Sequence, residues 1–164
     1  MADDFKGFTR MNFFTGLQAS AEDMNALVHY DVEKQRLQNR LLHAPGVVPN
    51  VLGSLKVTAR GRADLSVEVA AGYAVDAQGR DLFLPEPVIK ALDPSHFKLP
   101  QTVYLVLKYV EDLTDFVRYR SNPEHKGHRR VAEQVKVDAI ITEPDIENEV
   151  ELARTRNQFE EKLA

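Results

Sequence analysis

Between Ser20 and His43 the apolar positions recur at helical spacing. Leu27, Tyr30, Lys34, Leu37 and Leu41 stand three and four residues apart, a heptad seam with one lysine in it. Met24, Val28 and Val32 widen the apolar face, while Glu33, Gln35, Arg36, Gln38 and Arg40 look outward. Ser20 marks the start, because its hydroxyl can accept from the backbone N–H of Asp23. Glu22 and Asp23 suit the positive end of the helix dipole. Pro45 disfavours helix at Ala44 and Gly46 frees the backbone, so the helix is expected to end near His43. A seam of about three heptads has two destinations: the helix packs on its own sheet, or it packs against a helix of another subunit.

After the Pro-Gly corner the period changes to two. Val47, Val48, Val51, Leu52, Leu55 and Val57 read as one broken strand that turns around Pro49 and Asn50, and residues 60–64 read as a polar turn. Leu65, Val67, Val69, Ala71, Tyr73 and Val75 all fall on odd positions, which predicts a single strand with one buried face. Asp76 to Gly79 closes it as a turn, with Gly79 free to take a positive φ and Arg80 placed to pair with Asp76 across the hairpin mouth. Arg80 to Leu84 returns as the partner strand and stops at the Pro85-Glu86-Pro87 edge, and residues 91–100 form a connecting loop.

Val103 to Val110 is apolar on both faces and reads as a central strand. Residues 111–130 are highly charged and punctuated by Pro123 and Gly127, which reads as a long loop. Val131, Val135, Val137, Ala139 and Ile141 alternate as a further strand, residues 143–149 form an acidic turn, and Val150 and Leu152 mark a short last strand. The reading is thus an α+β, mainly β chain, with one long N-terminal helix packed on an antiparallel sheet or small β-sandwich. It divides into an aromatic leader at 1–19, the helix at 20–44, a β-rich body at 45–154 and a tail at 155–164, helical over Asn157 to Leu163. The leader holds Phe5, Phe8, Phe13 and Phe14, too many aromatics to leave in water, and packs either on the chain's own body or on a neighbour.

Composition narrows the function classes. With 164 residues the chain can bury a core without disulfides or metal, and it has no cysteine, which removes thiolate zinc sites and cysteine nucleophiles. The net charge of −4 lacks the basic surplus of a general nucleic-acid binder. The N-terminus has no apolar core of a secretory signal, and no run of about 18 apolar residues predicts a membrane span. His125 and His128 are spaced as His-x-x-His, a weak metal signal because Lys126, Arg129 and Arg130 beside them repel a cation. The same stretch, with Arg118, Arg120 and Tyr119, can dock an acidic partner or a phosphate, or remain a solvated charged loop. No Gly-rich phosphate loop, nucleophile elbow or H-E-x-x-H occurs, so the reading assigns no catalytic, cofactor-binding or metal residues, and no cofactor.

Phe14-Thr-Gly16-Leu-Gln18, Ala21-Glu22-Asp23, Tyr30, Lys34, Arg36, Asn39 to His43, Gly46-Val47-Val48 and the hairpin from Ala71-Gly72 through Asp76 to Gly79-Arg80 together form a recognisable module. It resembles proteins encoded with contractile phage tails and phage-tail-like injection systems, in their baseplate or tail-fibre regions. Where such proteins lead one to expect Gly-x-Gly, this chain has Ala44-Pro45-Gly46. The resemblance implies a structural assembly component in or near a baseplate, made in the cytoplasm and then part of a particle. Its partners would be other tail proteins and copies of itself, with no nucleic acid and no membrane insertion. The interface residues expected on that reading are Phe13, Phe14, Leu27, Tyr30, Leu37 and Leu41, and the fold-defining ones are Ser20, Gly46, Gly72, Asp76, Gly79 and Arg80. The alternative is a receptor- or glycan-binding fibre module using Tyr104, Tyr109, Phe116 and Tyr119. A hydrolase acting on a surface polymer ranks third.

Overall fold

A computed structural model describes residues 7–60, 65–92 and 102–156. Among them the chain is α+β and mainly β, with one helix and three antiparallel sheets. Helix α1 runs Ala21–Leu42. Ser20 caps it as a full capping box: its Oγ accepts from Asp23 N at 3.2 Å, and its own N–H donates to Asp23 Oδ2 at 2.8 Å. The Ser20 bonds hold the Asp23 carboxyl below the usual range. His43 ends the helix in extended conformation, its N–H returning to Asn39 O at 2.9 Å.

The strands are β1 (Gly46–Val47), β2 (Val57–Ala59), β3 (Ser66–Val69), β4 (Gly72–Val75), β5 (Asp81–Leu84), β6 (Val88–Ala91), β7 (Thr102–Arg118), β8 (Lys126–Ile140) and β9 (Glu149–Arg156). They form three sheets ordered β1-β4-β5, β2-β3-β6 and β8-β7-β9. Leu55, Val69, Ala74, Leu82, Leu84, Leu105, Leu107, Val137 and Val150 close one core between them. β7 is the central strand expected from its apolar run. A one-residue bulge against β9 between Leu105 and Val106 goes with three consecutive buried residues, Leu105 to Leu107.

Three sequence expectations are corrected. The alternation from Leu65 to Val75 is not one strand with one buried face. It is β3 and β4 in two different sheets, with Ser66 and Val69 buried in β3 and Gly72, Ala74 and Val75 in β4, so no single phase runs through the break at Ala70-Ala71. The break is imposed from outside: Ala71 O accepts from Gly53 N at 2.8 Å, and Ala70 N donates to Lys56 O at 2.9 Å. Val47 to Val57 is likewise not a broken strand. Only its ends pair, and between them the chain coils through positive φ at Asn50, Leu52, Ser54 and Leu55. Leu55 tolerates that conformation because its side chain is 2% exposed in the core, with Gly72 against it. A Cβ on Gly72 would overlap the Leu55 backbone.

The largest correction concerns residues 111–130. They are no loop, because β7 and β8 stay paired in one register from Tyr104↔Ile140 to Arg118↔Lys126, interrupted only at Asp115, which takes a positive φ. Only residues 119–125 turn. The chain therefore carries a long hairpin arm whose outer half, with Leu113, Phe116 and Val131, stands exposed. β6 was also unforeseen; it pairs with β3 directly after Pro87. β9 continues through Arg156, so the first residues assigned to a tail are strand. The expected helix at Asn157–Leu163, Phe5 of the leader, most of the 60–64 turn and most of the 91–100 loop lie outside the described residues.

The turn between β4 and β5 forms as expected. Gly79 sits at φ +79° and donates to Asp76 O at 3.0 Å. The Asp76 carboxylate, fully buried, accepts from Gln78 N at 3.0 Å, Arg80 N at 2.9 Å and the Arg80 guanidinium. Asp76→Ala leaves two backbone donors and a largely buried cation without their acceptor, and is expected to lower the unfolding free energy by about 3 kcal/mol. Urea unfolding of the variant against the wild type measures this, and a loss within roughly 0.5 kcal/mol would contradict the role given to Asp76.

Candidate interaction surfaces

Helix α1 meets the sheets over its C-terminal half, and it does so through polar side chains. Asp81, at the start of β5, accepts from Gln35 Nε2 at 2.6 Å, from Asn39 Nδ2 at 2.8 Å and from the Tyr73 hydroxyl. Asn39 Nδ2 also donates to Gly79 O at 2.9 Å, and Arg40 reaches Gln78 O at 3.5 Å. Gly79 is needed for fit as well as for its φ, since a Cβ there would run into the Arg36 carbonyl. Arg36 bridges Glu33 at 3.1 Å and Glu111 at 3.4 Å, joining the helix to the base of the arm. Tyr109 lies at this junction, with Arg80 5.1 Å and Arg36 6.0 Å from its ring and its hydroxyl donating to Glu111 at 2.8 Å.

Burial, followed by the bond to Asp81, pushes the Tyr73 hydroxyl up to about 12. Burial, the bond to Glu111 and the nearby Glu133 raise Tyr109 as well. Both phenols are therefore locked neutral as donors to carboxylates, which suits clamps between elements.

The apolar seam faces the other way. At 3.6 residues per turn, Leu27, Tyr30, Lys34, Leu37 and Leu41 lie on the side of α1 opposite to Val32, Arg36 and Asn39. No residue of α1 is buried. Leu41 is 61% exposed, while Leu27, Tyr30 and Leu37 are half-buried. Val28 and Val32 do not widen this face as expected: they lie on the opposite side of the helix, with Met24 and Leu42 on its flank. The leader covers part of this face, Phe8 meeting the Tyr30 ring edge-on at a centroid distance of 5.9 Å. Phe13 and Phe14 remain exposed beside it. The six residues expected at an interface thus lie on the seam or in the leader next to it.

Two further features flank the body. The arm's turn region carries Arg118, Tyr119, Arg120, His125, Lys126, His128, Arg129 and Arg130. His128 packs its ring against Phe116 at 5.1 Å, and Arg129 and Arg130 lean on Asp115 at 3.7 and 3.4 Å. At the other end of the arm, a cleft of about 430 Å³ opens between Tyr104, Pro144, Ile146 and Val150, bordered by Glu143 and Glu149. Arg154 lies over the Tyr104 ring at 5.4 Å while pairing with Glu151 at 2.6 and 2.8 Å. Asp145 shapes the acidic turn at the lip of the cleft, accepting from Asn148 Nδ2 at 2.7 Å and Glu147 N at 3.0 Å, bonds that hold its carboxyl below the usual range.

Among the described residues there is no cluster of three or more His, Asp or Glu placed to hold a metal ion, and no helix long and apolar enough to cross a membrane. No protein-family model matches the chain, and no curated protein matches its sequence. Sequence reasoning found the seam, the leader and the turn residues. It missed the arm, the cleft and the Asp81 node, whose partners are separated by some 40 residues in the chain.

The Tyr73 clamp gives a pH signature. Below pH 10 the phenol keeps its proton in both folded and unfolded chains, and its bond to Asp81 contributes in full. As pH rises through 10 the unfolded chain releases the proton while the folded chain holds it to about 12, so stability is lost across that window. Urea unfolding between pH 9 and pH 12, as a round range about these values, is expected to show this decline, with a shallower slope in Tyr73→Phe. Equal slopes would remove the clamp.

Proposed function

We propose that the protein is a structural assembly component of a contractile phage tail or phage-tail-like injection particle, seated in or near the baseplate, and that α1 is one of its contact elements. The observation that supports this most is the direction of the helix: it is anchored by polar groups and turns its heptad seam away from its own core. An amphipathic helix in a chain that works alone buries its apolar stripe, so a stripe left outside marks a contact face. The resemblance of residues 13–80 to tail-encoded proteins supplies the setting. Partners on this reading are further copies of the chain and neighbouring particle proteins. The hydrogen-bonded junction around Tyr73, Asp81 and Tyr109 serves to seat the helix.

The glycan-binding alternative draws less support. Sugar recognition uses open aromatic faces, but Arg154 lies over Tyr104 and Arg80 over Tyr109. Phe116 and Tyr119 are exposed on a two-stranded arm and line no cleft.

Light scattering on the purified chain and on the double variant Leu37→Glu, Leu41→Glu tests the reading. The expected outcome is an oligomer in the wild type and folded monomers in the variant, with an unchanged circular dichroism spectrum. A wild-type monomer whose variant unfolds would assign the seam to the chain's own stability and refute the helix as a contact element.

A further inference from the structure

The chain is electrically polar along its arm. Residues 118–130 hold five cations, Arg118, Arg120, Lys126, Arg129 and Arg130, against one carboxylate, Glu124. Residues 143–151 hold five carboxylates, Glu143, Asp145, Glu147, Glu149 and Glu151, and no cation. The first group sits at the tip of the β7–β8 hairpin and the second at its root, where β8 ends and the cleft beside Tyr104 opens. Fourteen residues of β7 separate Tyr104 from Arg118, a span of about 45 Å at the rise of an extended strand. The pairing keeps one register over that span with a single interruption at Asp115, so no chain can bring its own tip to its own cleft.

Both ends also offer matching apolar surface. The tip presents Phe116 and Tyr119, and the lip of the cleft presents Ile146, which is 80% exposed, with Pro144 beside it and Tyr104 beneath Arg154. Arg118, Arg120 and Lys126 make no ion pair among the described residues, whereas Arg129 and Arg130 are already turned to Asp115. Three cations and two aromatic rings thus stand at one end of the arm. At the other, Glu143, Asp145 and Glu147 carry the acidic charge, since Glu149 pairs with Lys108 at 2.7 Å and Glu151 with Arg154 at 2.6 Å.

We infer that the arm tip of one copy docks into the acidic cleft of the next, so that the chain associates head to tail. This rests on the assembly reading above and adds to it a second contact, separate from the helix seam. A contact between two different patches is heterologous: repeated, it closes into a ring or runs on as a filament, whereas a self-complementary patch stops at a pair. Charge steers the encounter and sets the direction, and the aromatic and proline contacts supply the apolar part.

The test uses two exposed charge reversals on the full chain, Arg118→Glu with Arg120→Glu at the tip and Glu143→Lys with Glu147→Lys at the cleft. Mass is read by light scattering and sedimentation, in the wild-type background and with Leu37→Glu, Leu41→Glu added to silence the helix seam. In the silenced background the unreversed chain is expected to grow in mass with concentration at low salt, and to fall back at roughly 0.5 M salt, where screening is nearly complete over a few Å. Each reversal should weaken this growth on the order of 100-fold. In an equimolar mixture of the two reversed chains every native tip meets a native cleft and every reversed tip a reversed cleft, so the mixture should grow again as an alternating assembly although neither chain grows alone. A chain carrying both reversals should regain its growth.

Reversed chains that associate as the parent does, or a mixture that forms nothing beyond its parts, would overturn the inference. If the reversals have no effect while the seam variant still dissolves wild-type oligomers, head-to-tail docking fails and the assembly reading stands. If the wild type stays monomeric at every concentration and salt, both fail. Tight binding of a 20-nucleotide single strand (a probe length chosen to cover a typical groove) that is lost with the tip reversal, without self-association, would replace the partner chain by nucleic acid.

Discussion

The buried carboxylate of Asp76 is the constraint on which the arrangement of the other parts depends. By taking two backbone donors and the Arg80 guanidinium, it fixes the β4–β5 turn in one shape. That turn presents the Gly79 carbonyl and the Asp81 carboxylate to Asn39 and Gln35. Since these are the contacts that seat α1, the turn also sets which way the helix faces. The same turn reaches the acidic root of the arm, because Gln78 and Arg80 both donate to Asn148 Oδ1, at 2.8 and 3.1 Å. One buried ion therefore orients the helix, the turn and the cleft with respect to one another.

The seating is polar throughout, and this matters energetically. Hydrogen bonds of this kind contribute about 1 kcal/mol each when partly exposed, enough together to choose an orientation for the helix and too little to bury it. The apolar stripe then stays outside the core, covered in part by the leader at Tyr30 and exposed at Leu41. The arm follows the same logic: its inner half joins the core through Leu105, Leu107 and Val137, while its outer half is held by cross-strand pairing alone.

Local chemistry was legible in the sequence and nonlocal pairing was not. The capping box at Ser20, the stop at His43 and the Asp76–Arg80 pair each arise within about five residues, and each was readable from spacing. The break at Ala70-Ala71 is announced by Gly72 alone, which the alternation around it outweighed; it is made by the backbone of residues 53–56, which bonds to both alanines and packs on Gly72. The arm read as a loop for a physical reason: both its faces are wet, so no alternation of apolar residues marks it, and Pro123 and Gly127 mimic loop punctuation. Its charge runs were visible from the start, but the ladder that holds them 45 Å apart, about the reach of fourteen extended residues, was not.

The strand order β8-β7-β9 leaves the outer edge of β8 unpaired among the described residues along its whole length. An edge of that length invites any second chain to add a strand. The side chains on this strand answer the hazard, with Lys126, Arg129, Arg130, Glu133, Lys136 and Asp138 distributed along it. Charged residues spread along an open ladder deter lateral growth into fibrils.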